Sequence, residues 1–215
     1  MRVALASVCR KLLSDVGIDV ASRVVQIHDA IDKSEIPQNI TTKDLNPLAD
    51  KSPVRCLDKN AEKEMINVID QAKQQGDSVG GIFEIIATGA PHGLGSYTQW
   101  DRKLQSKITS LMMSVNAYKA IEIGSGFNSG VKFGSEIHDE IGWNGNKYTR
   151  ASNNAGGIEG GMSNTMPITL RIAMKPIPTL TKSLKSVDIM TKERKNAHKE
   201  RTDSCAVPAA SIIAE

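Results

Sequence analysis

The first sixteen residues carry apolar side chains at helical spacing. Leu5, Val8, Leu12 and Val16 fall on one face of a helix, and a glycine follows directly. This stripe predicts a helix over residues 3–16. No Ser, Thr, Asp or Asn precedes the stripe, so the N–H groups of its first turn have no side-chain cap. We therefore expect the chain to begin inside a secondary-structure element.

Helical and strand-like patterns then alternate along the chain. A second apolar stripe at helical spacing ends at Gly76, which is a typical residue just past the end of a helix. Short apolar or alternating runs lie between the stripes and predict strands. We predict further helices over residues 58–75 and 101–115, and strands over residues 18–27, 79–87, 120–124 and 168–174.

Two stretches carry turn or loop signals. Residues 30–56 are polar and contain three prolines, so we predict a long connection there. Within residues 137–150, Asn144 and Gly145 stand between two strand-like runs and predict a two-residue hairpin turn.

The C-terminal residues begin another helix. Thr202, Asp203 and Ser204 are candidates for its cap, and Pro208 suits a first helical turn. Apolar residues then continue to the last position. We expect this helix to be incomplete, as in a fragment of a larger protein.

The irregular alternation of helices and strands, with hairpins among them, predicts the α+β class with a mainly antiparallel sheet. The chain has 215 residues, of which 40% are apolar and 24% charged, which is enough for one sizeable core. We therefore predict one domain over residues 1–215 and no separate second domain.

Composition and charge exclude several classes of protein. A net charge of +3 with 4% aromatic residues is not typical of a dedicated nucleic-acid binder. No apolar run has the roughly 20 residues of a membrane span, and no secretory signal is apparent, so we expect a cytoplasmic protein with no membrane partner. Three widely spaced cysteines, Cys9, Cys56 and Cys205, indicate reduced thiols and neither a disulfide framework nor a zinc site.

Two segments have backbones suited to meeting a ligand. The glycine-rich residues 156–161 allow close backbone approach, although a structural turn explains them equally well. In residues 175–179, two prolines hold the chain extended after a strand. Lys175 and Thr179 therefore either face an anion or simply lie where the strand ends.

Two further segments carry charged side chains. His138 lies among three carboxylates, which indicates either a metal site or, more simply, a solvated strand. Arg201 and Asp203 precede the last helix, where they either meet a phosphate or, in the case of Asp203, cap the helix. The basic residues 192–201 indicate a solvated loop. From the residues alone, these alternatives stay open.

Taken in order, several blocks make the chain resemble the chorismate synthase family along essentially its whole length. The blocks are Ser52–Cys56, Gly76–Gly81, Gly93–Ser96, Asp101–Leu104, Ser114–Ala117, Gly134–Asp139, Gly156–Gly161, Lys175–Thr179 and Arg201–Cys205. The resemblance implies a sandwich of helices and mainly antiparallel sheets, here incomplete, and a homotetramer for the full-length family. It also implies a lyase of the shikimate pathway, which leads to aromatic amino acids.

The same resemblance implies a reaction and a set of site residues. Members of the family convert 5-enolpyruvylshikimate 3-phosphate to chorismate and phosphate by a 1,4-anti elimination that uses reduced flavin mononucleotide (FMN). Asp203 matches the aspartate that the family places near the flavin, where it is expected to relay a proton. The expected flavin-binding residues are Asn116, Ala117, Gly160, Lys175, Pro176, Ile177, Pro178, Thr179 and Arg201. No metal is implied.

Other family features have no counterpart in this sequence. Relatives carry two histidines proposed as general acids, and arginines that hold the substrate phosphate, in segments that precede the region matched here. We therefore expect this chain to be the C-terminal part of a chorismate synthase and to have little activity alone. The alternative is a non-catalytic module that binds flavin or phosphate.

Overall fold

The computed structural model describes residues 1–36, 41–200 and 203–215. The helices are α1 (Arg2–Asp15), α2 (Thr42–Ala49), α3 (Lys59–Gln75), α4 (Leu104–Met113), α5 (Gly134–Ile137) and α6 (Val207–Ala214), with a 3-10 helix over Gly126–Val131. The strands are β1 (Asp19–Ile27), β2 (Ala30–Ile31), β3 (Gly81–Thr88), β4 (Tyr118–Ile123), β5 (Ile141–Trp143), β6 (Tyr148–Arg150), β7 (Ile158–Glu159), β8 (Met162–Ser163), β9 (Ile168–Met174), β10 (Lys185–Val187) and β11 (Arg194–Asn196).

Five strands form one sheet in the order β2-β1-β3-β9-β4, and every pairing is antiparallel. Three separate two-stranded hairpins pair β5 with β6, β7 with β8, and β10 with β11. The predicted α+β class with a mainly antiparallel sheet is confirmed. Among the described residues, no helix has both the length and the apolar character needed to cross a membrane.

The inner face of the sheet packs against α3, α4 and α6. Alternation along β3 and β9 turns Phe83 and Ile172 into this core, where both side chains are fully buried. The Phe83 and Tyr118 rings meet edge to face at 5.3 Å. The Tyr118 hydroxyl donates to the Ala210 carbonyl of α6 at 2.6 Å, and burial raises the pKa of Tyr118 to about 12. Helices from three separate parts of the chain therefore pack against one sheet.

Helix α2 was not predicted, because residues 30–56 were expected to form a loop. It packs Leu45 on the outer face of the sheet against Ala21 and Ile86. The Asn46 side chain accepts from the backbone N–H of Ser22 at 3.1 Å, which satisfies part of the free edge of β1. The loop prediction was wrong because the helix is short, contains Pro47, and is stabilised by these non-local contacts.

A buried polar network joins α6 to the rest of the protein. The side chain of Glu215 is only 1% exposed, and it bonds to Arg10, Ser22, Asn46 and Arg55. Burial lowers the pKa of the Arg55 guanidinium, and the adjacent Glu215 carboxylate opposes that shift. Arg55 and Glu215 lie 3.4 Å apart, and the attraction between their opposite charges offsets part of the cost of removing both from water.

The guanidinium of Arg55 has further partners within the network. It donates to the Ser22 carbonyl at 3.0 Å, to Asn46 Oδ1 at 3.0 Å and to Ser211 Oγ at 3.2 Å. It also pairs with Asp50 at the end of α2. One side chain therefore connects β1, α2 and α6.

The predicted first helix is confirmed as α1, which has no side-chain cap at its N-terminus. None of its residues is buried. It is attached through polar contacts: Arg10 donates to the Val20 carbonyl at 3.0 Å and pairs with Glu215, while Arg2 donates to Ser114 Oγ at 3.0 Å.

Four local predictions were wrong. Residues 134–137 form a short helix where a solvated strand was favoured, and the β5–β6 hairpin turns over residues 144–147 instead of two residues. Residues 194–196 of the predicted solvated loop pair as β11 with β10. The N-cap of α6 is Ala206, so Asp203 and Ser204 do not cap it, and Thr202 lies outside the described residues. The Glu136 carboxylate, which accepts from the N–H of Phe133 at 2.9 Å, favours the short helix, and pairing with β10 orders the basic segment.

Candidate functional site

Two of the predicted site segments meet at one end of the sheet. The backbone N–H of Lys175, just after β9, donates to the carbonyl of Ala117, just before β4, at 3.0 Å. Ala117 has a φ of 72°, in the left-handed region, where the chain turns into β4. The side chains of Asn116 and Lys175 are exposed and make no hydrogen bond or ion pair to any described residue. An exposed amide and an exposed cation therefore belong to two segments whose backbones meet at this end of the sheet.

The extended segment Lys175–Thr179 is held by a neighbouring turn. Ser78 Oγ donates to the Ile177 carbonyl at 2.6 Å. A Cβ atom at Gly80 would lie 2.3 Å from the Met174 carbonyl oxygen and 2.9 Å from the Pro176 nitrogen, so glycine is required for this close approach. The turn over residues 76–80 thus fixes the exit path of the chain from β9. Residues 76–81 were identified from the sequence only as a block that resembles the family, and no function was predicted for them.

The same turn also positions the segment that contains Asp203. The backbone N–H of Val79 donates to the Ser204 carbonyl at 2.8 Å, and Val79 forms a parallel bridge with Cys205. Asp203 directly precedes this contact and is exposed. Burial raises the pKa of the Cys205 thiol, so that thiol is protonated at neutral pH and is not a nucleophile. Arg201 lies outside the described residues.

Gly160 is placed elsewhere. It lies in the turn between β7 and β8 with a φ of 59°, and a Cβ atom there would meet no atom within 4 Å. The neighbouring Gly161 carbonyl accepts from the N–H of Leu104, the first residue of α4, at 2.8 Å. Asn116 follows the other end of that ten-residue helix, which is about 15 Å long. The structure therefore does not bring Gly160 next to Lys175.

The Asp139 carboxylate holds residues 152–155, which lead into the glycine-rich residues 156–161. The oxygens of Asp139 accept from Ser152 Oγ and from the backbone N–H groups of Asn154 at 2.7 Å and Ala155 at 2.9 Å. Burial raises the pKa of Asp139, but these hydrogen bonds outweigh burial and hold the pKa below its ordinary value. No group of three or more metal-ligating side chains is found in the described parts of the chain, and His138 is exposed. The described residues therefore do not support a metal site around His138.

Replacing Asp139 with alanine is expected to destabilise the protein by about 1–3 kcal/mol, because three donors lose their acceptor. The folded pKa of Asp139 is lowered, so its contribution is complete above the unfolded value of about 4 and is lost as the pH falls through the folded pKa. Urea unfolding of the native and variant proteins between pH 7 and pH 3 tests both points. Glu140→Ala, at an exposed neighbouring carboxylate, is the control. An equal effect of both substitutions would contradict this role.

Comparisons with known proteins agree on one family. The family model for chorismate synthase matches residues 1–215. A chorismate synthase of Bacillus subtilis is 53% identical over 216 residues, and the match covers 100% of this chain and 55% of that protein. For chorismate synthase 2 of Bacillus cereus, the identity is 51% with the same coverage.

A solved structure, titled as the crystal structure of chorismate synthase, aligns with a TM-score of 0.82 and 41% identity. The alignment covers 100% of this chain and 58% of that chain. The present chain thus spans about half the length of the relatives that it matches. With a family model matched over its whole length and this agreement in fold, the chain belongs to the chorismate synthase family.

Proposed function

We propose that this chain forms the flavin-facing part of a chorismate synthase, which converts 5-enolpyruvylshikimate 3-phosphate to chorismate and phosphate with reduced FMN. The observation that carries the proposal is the hydrogen bond from Lys175 to Ala117 at one end of the sheet. The turn at residues 76–80 contacts both the segment after β9 and the segment that contains Asp203, so Asp203 lies at the same end of the sheet. Three segments that are distant in sequence, each matching a family block, are thereby neighbours.

The chemistry of these residues fits FMN. The exposed Lys175 ammonium offers positive charge to a phosphate or to an electron-rich reduced flavin, and the Asn116 amide offers both donors and an acceptor. The segment Lys175–Thr179 contributes an extended backbone with few N–H groups, and Thr179 a hydroxyl. Arg201 and Gly160 complete the proposed set by family resemblance. When bound, reduced flavin supplies an electron-rich ring beside the substrate, without net oxidation or reduction.

We propose Asp203 as a proton relay at this end of the sheet. The elimination breaks the bond between carbon and the phosphate oxygen, breaks one C–H bond and forms a new C=C bond, so one proton must leave the substrate. Asp203 is exposed beside the contact between Val79 and Ser204. A carboxylate in that place receives a proton and passes it to solvent.

The chain covers 55% of the B. subtilis relative, so we expect that the remaining part of the enzyme supplies the other catalytic groups. These are the histidines and the phosphate-binding arginines that the family resemblance predicts. We therefore expect little or no turnover by this chain alone. The homotetramer of the full-length family stays a prediction.

An anaerobic assay with reduced FMN and 5-enolpyruvylshikimate 3-phosphate tests the proposed function. Three samples are compared: this chain, the part of the B. subtilis relative that this chain does not cover, and both together. We expect chorismate and phosphate to form only in the mixture. Flavin binding by the mixture without chorismate formation would contradict the proposal and favour the non-catalytic module.

A further inference from the structure

An open cavity of about 860 Å³ lies between the β5–β6 hairpin and the loop that joins β8 to β9. Sites for small organic molecules have volumes in this range. Asn164 and Met166 line the cavity just before the start of β9, whereas Lys175 follows the end of that strand. Strand β9 has seven residues and is therefore roughly 24 Å long. The cavity is thus separate from the Lys175 end of the sheet.

The loop that carries His92 forms one wall of the cavity and is fixed to β8. The carbonyl of Ser163 accepts from the N–H of Gly93 at 2.9 Å, and its hydroxyl oxygen accepts from the N–H of Leu94 at 2.9 Å. The same hydroxyl donates to the Pro91 carbonyl. Ser163 is almost fully buried, so the exposed His92 side chain stands on an ordered support.

The hairpin side of the cavity is fixed by Glu159. Its carboxylate pairs with Arg150 at 2.6 Å and accepts from Asn164 Nδ2 at 2.9 Å. The next lining residue, Thr165, has a φ of 75°, which is costly for a β-branched side chain. Strain of this kind persists where surrounding contacts enforce it, and it clusters at ligand sites. The walls are therefore ordered before any ligand binds.

The polar lining of the cavity favours a negatively charged ligand. Lys147, Arg150 and His92 line it, and no carboxylate does so in the described ranges. Arg150 is already paired with Glu159, but Lys147 has no ion pair to any described residue. An anionic group on a ligand would gain this partner. A ligand ammonium group would find no carboxylate to pair with.

The apolar lining of the cavity favours a ring. Ile141, Tyr148 and Met166 supply it, and the Trp143 ring supports that of Tyr148 edge to face at 5.1 Å. A bare inorganic anion would leave these side chains in contact with water. A ring that carries an anionic group would cover them and still reach Lys147.

We propose that this cavity binds a small ring compound that carries a carboxylate and no ammonium group. The basic lining side chains bind the carboxylate, and the apolar ones contact the ring. The proposal goes beyond the proposed reaction and does not depend on it, because the Lys175 end of the sheet takes no part in this site.

Binding of 4-hydroxybenzoate to this chain, measured by isothermal titration calorimetry, tests the proposal. We expect saturable binding, at least about tenfold tighter than that of inorganic phosphate, which lacks the ring, or of phenylalanine, whose ammonium has no partner. Lys147→Glu is expected to weaken binding at least about tenfold, because it reverses the charge beside the carboxylate. Lys185→Glu makes the same change at an exposed lysine on β10 and is expected to alter binding less than about twofold.

A second matched pair of substitutions tests the apolar lining. Ile141→Asp is expected to weaken binding at least about fivefold, because a charge then replaces a contact with the ring. Ile189→Asp is the control and is expected to have less than about a twofold effect. The two side chains are 66% and 80% exposed, so both variants are expected to keep the fold, which urea unfolding checks.

Amide chemical shifts locate the bound 4-hydroxybenzoate without any substitution. We expect changes at residues 147–150 and 164–166 and none at residues 175–179. The proposal would be overturned by shifts centred on residues 175–179, by the absence of saturable binding, or by equally tight binding of phosphate or phenylalanine. Binding indifferent to both Lys147→Glu and Ile141→Asp would overturn it as well. FMN binding is measured with another ligand and at other residues, so the failure of either proposal is distinguishable from that of the other.

Discussion

Replacing Arg55 with alanine is expected to destabilise the protein by about 3–5 kcal/mol. The guanidinium is buried and joins the Ser22 carbonyl, Asn46, Ser211 and Glu215. Its removal takes one donor from each of these acceptors and leaves the buried Glu215 carboxylate with one cation fewer. The free energy of unfolding, measured by urea denaturation at neutral pH, tests this expectation.

The control for Arg55 is an ion pair at the surface. Lys11 and Asp15 lie four residues apart on α1 and are both exposed, so Asp15→Ala is expected to cost less than about 1 kcal/mol. An Arg55→Ala effect as small as that of the control would show that water reaches the network. The proposed connection of α6 to β1 and α2 would then be wrong.

Replacing Lys175 with glutamine is expected to lower kcat/KM for chorismate formation about 10- to 100-fold in the mixture of this chain with the remaining part of a relative. A hydrogen bond to a charged group contributes about 1.5–3 kcal/mol, and glutamine keeps a polar side chain that is one bond shorter but removes the charge. Lys185→Gln, at an exposed lysine on β10, is the control and is expected to change the rate less than about twofold. Equal effects of the two substitutions would contradict a specific role for Lys175.

Elements with strong periodicity were predictable from the sequence. The apolar stripe and Gly76 placed α3 correctly, and the structure adds that Asp58 caps its start while Gly76 adopts the left-handed conformation. The alternation in residues 168–174 gave the correct strand β9, whose inward side chains are buried. In these segments local propensity and tertiary packing favour the same structure.

Elements that depend on distant contacts could not be predicted. Helix α2 owes its position to Leu45 packed on Ile86 and to Asn46 bonded to Ser22, and neither contact leaves a periodic signal in eight residues. The network around Glu215 joins residues from opposite ends of the chain. Local patterns carry no information about such pairings.

The site was predictable only in part. Resemblance to the family indicated Asn116, Ala117 and Lys175, and the structure brings these residues together. The supporting roles of Ser78 and Asp139 were missed, because each acts through a hydrogen bond to a segment that the sequence does not mark as its partner. For both residues, the only available signal was membership of a family block.

Measuring FMN binding tests whether the Lys175 end of the sheet holds the flavin. Oxidised FMN is titrated into the complex of this chain with the remaining part of the B. subtilis relative, and the flavin fluorescence reports the dissociation constant. We expect saturable binding to the native complex, about tenfold or greater weakening by Lys175→Gln, and no comparable change with Lys185→Gln. Binding of FMN that is equally tight in all three complexes would contradict the claim that the Lys175 end of the sheet holds the flavin.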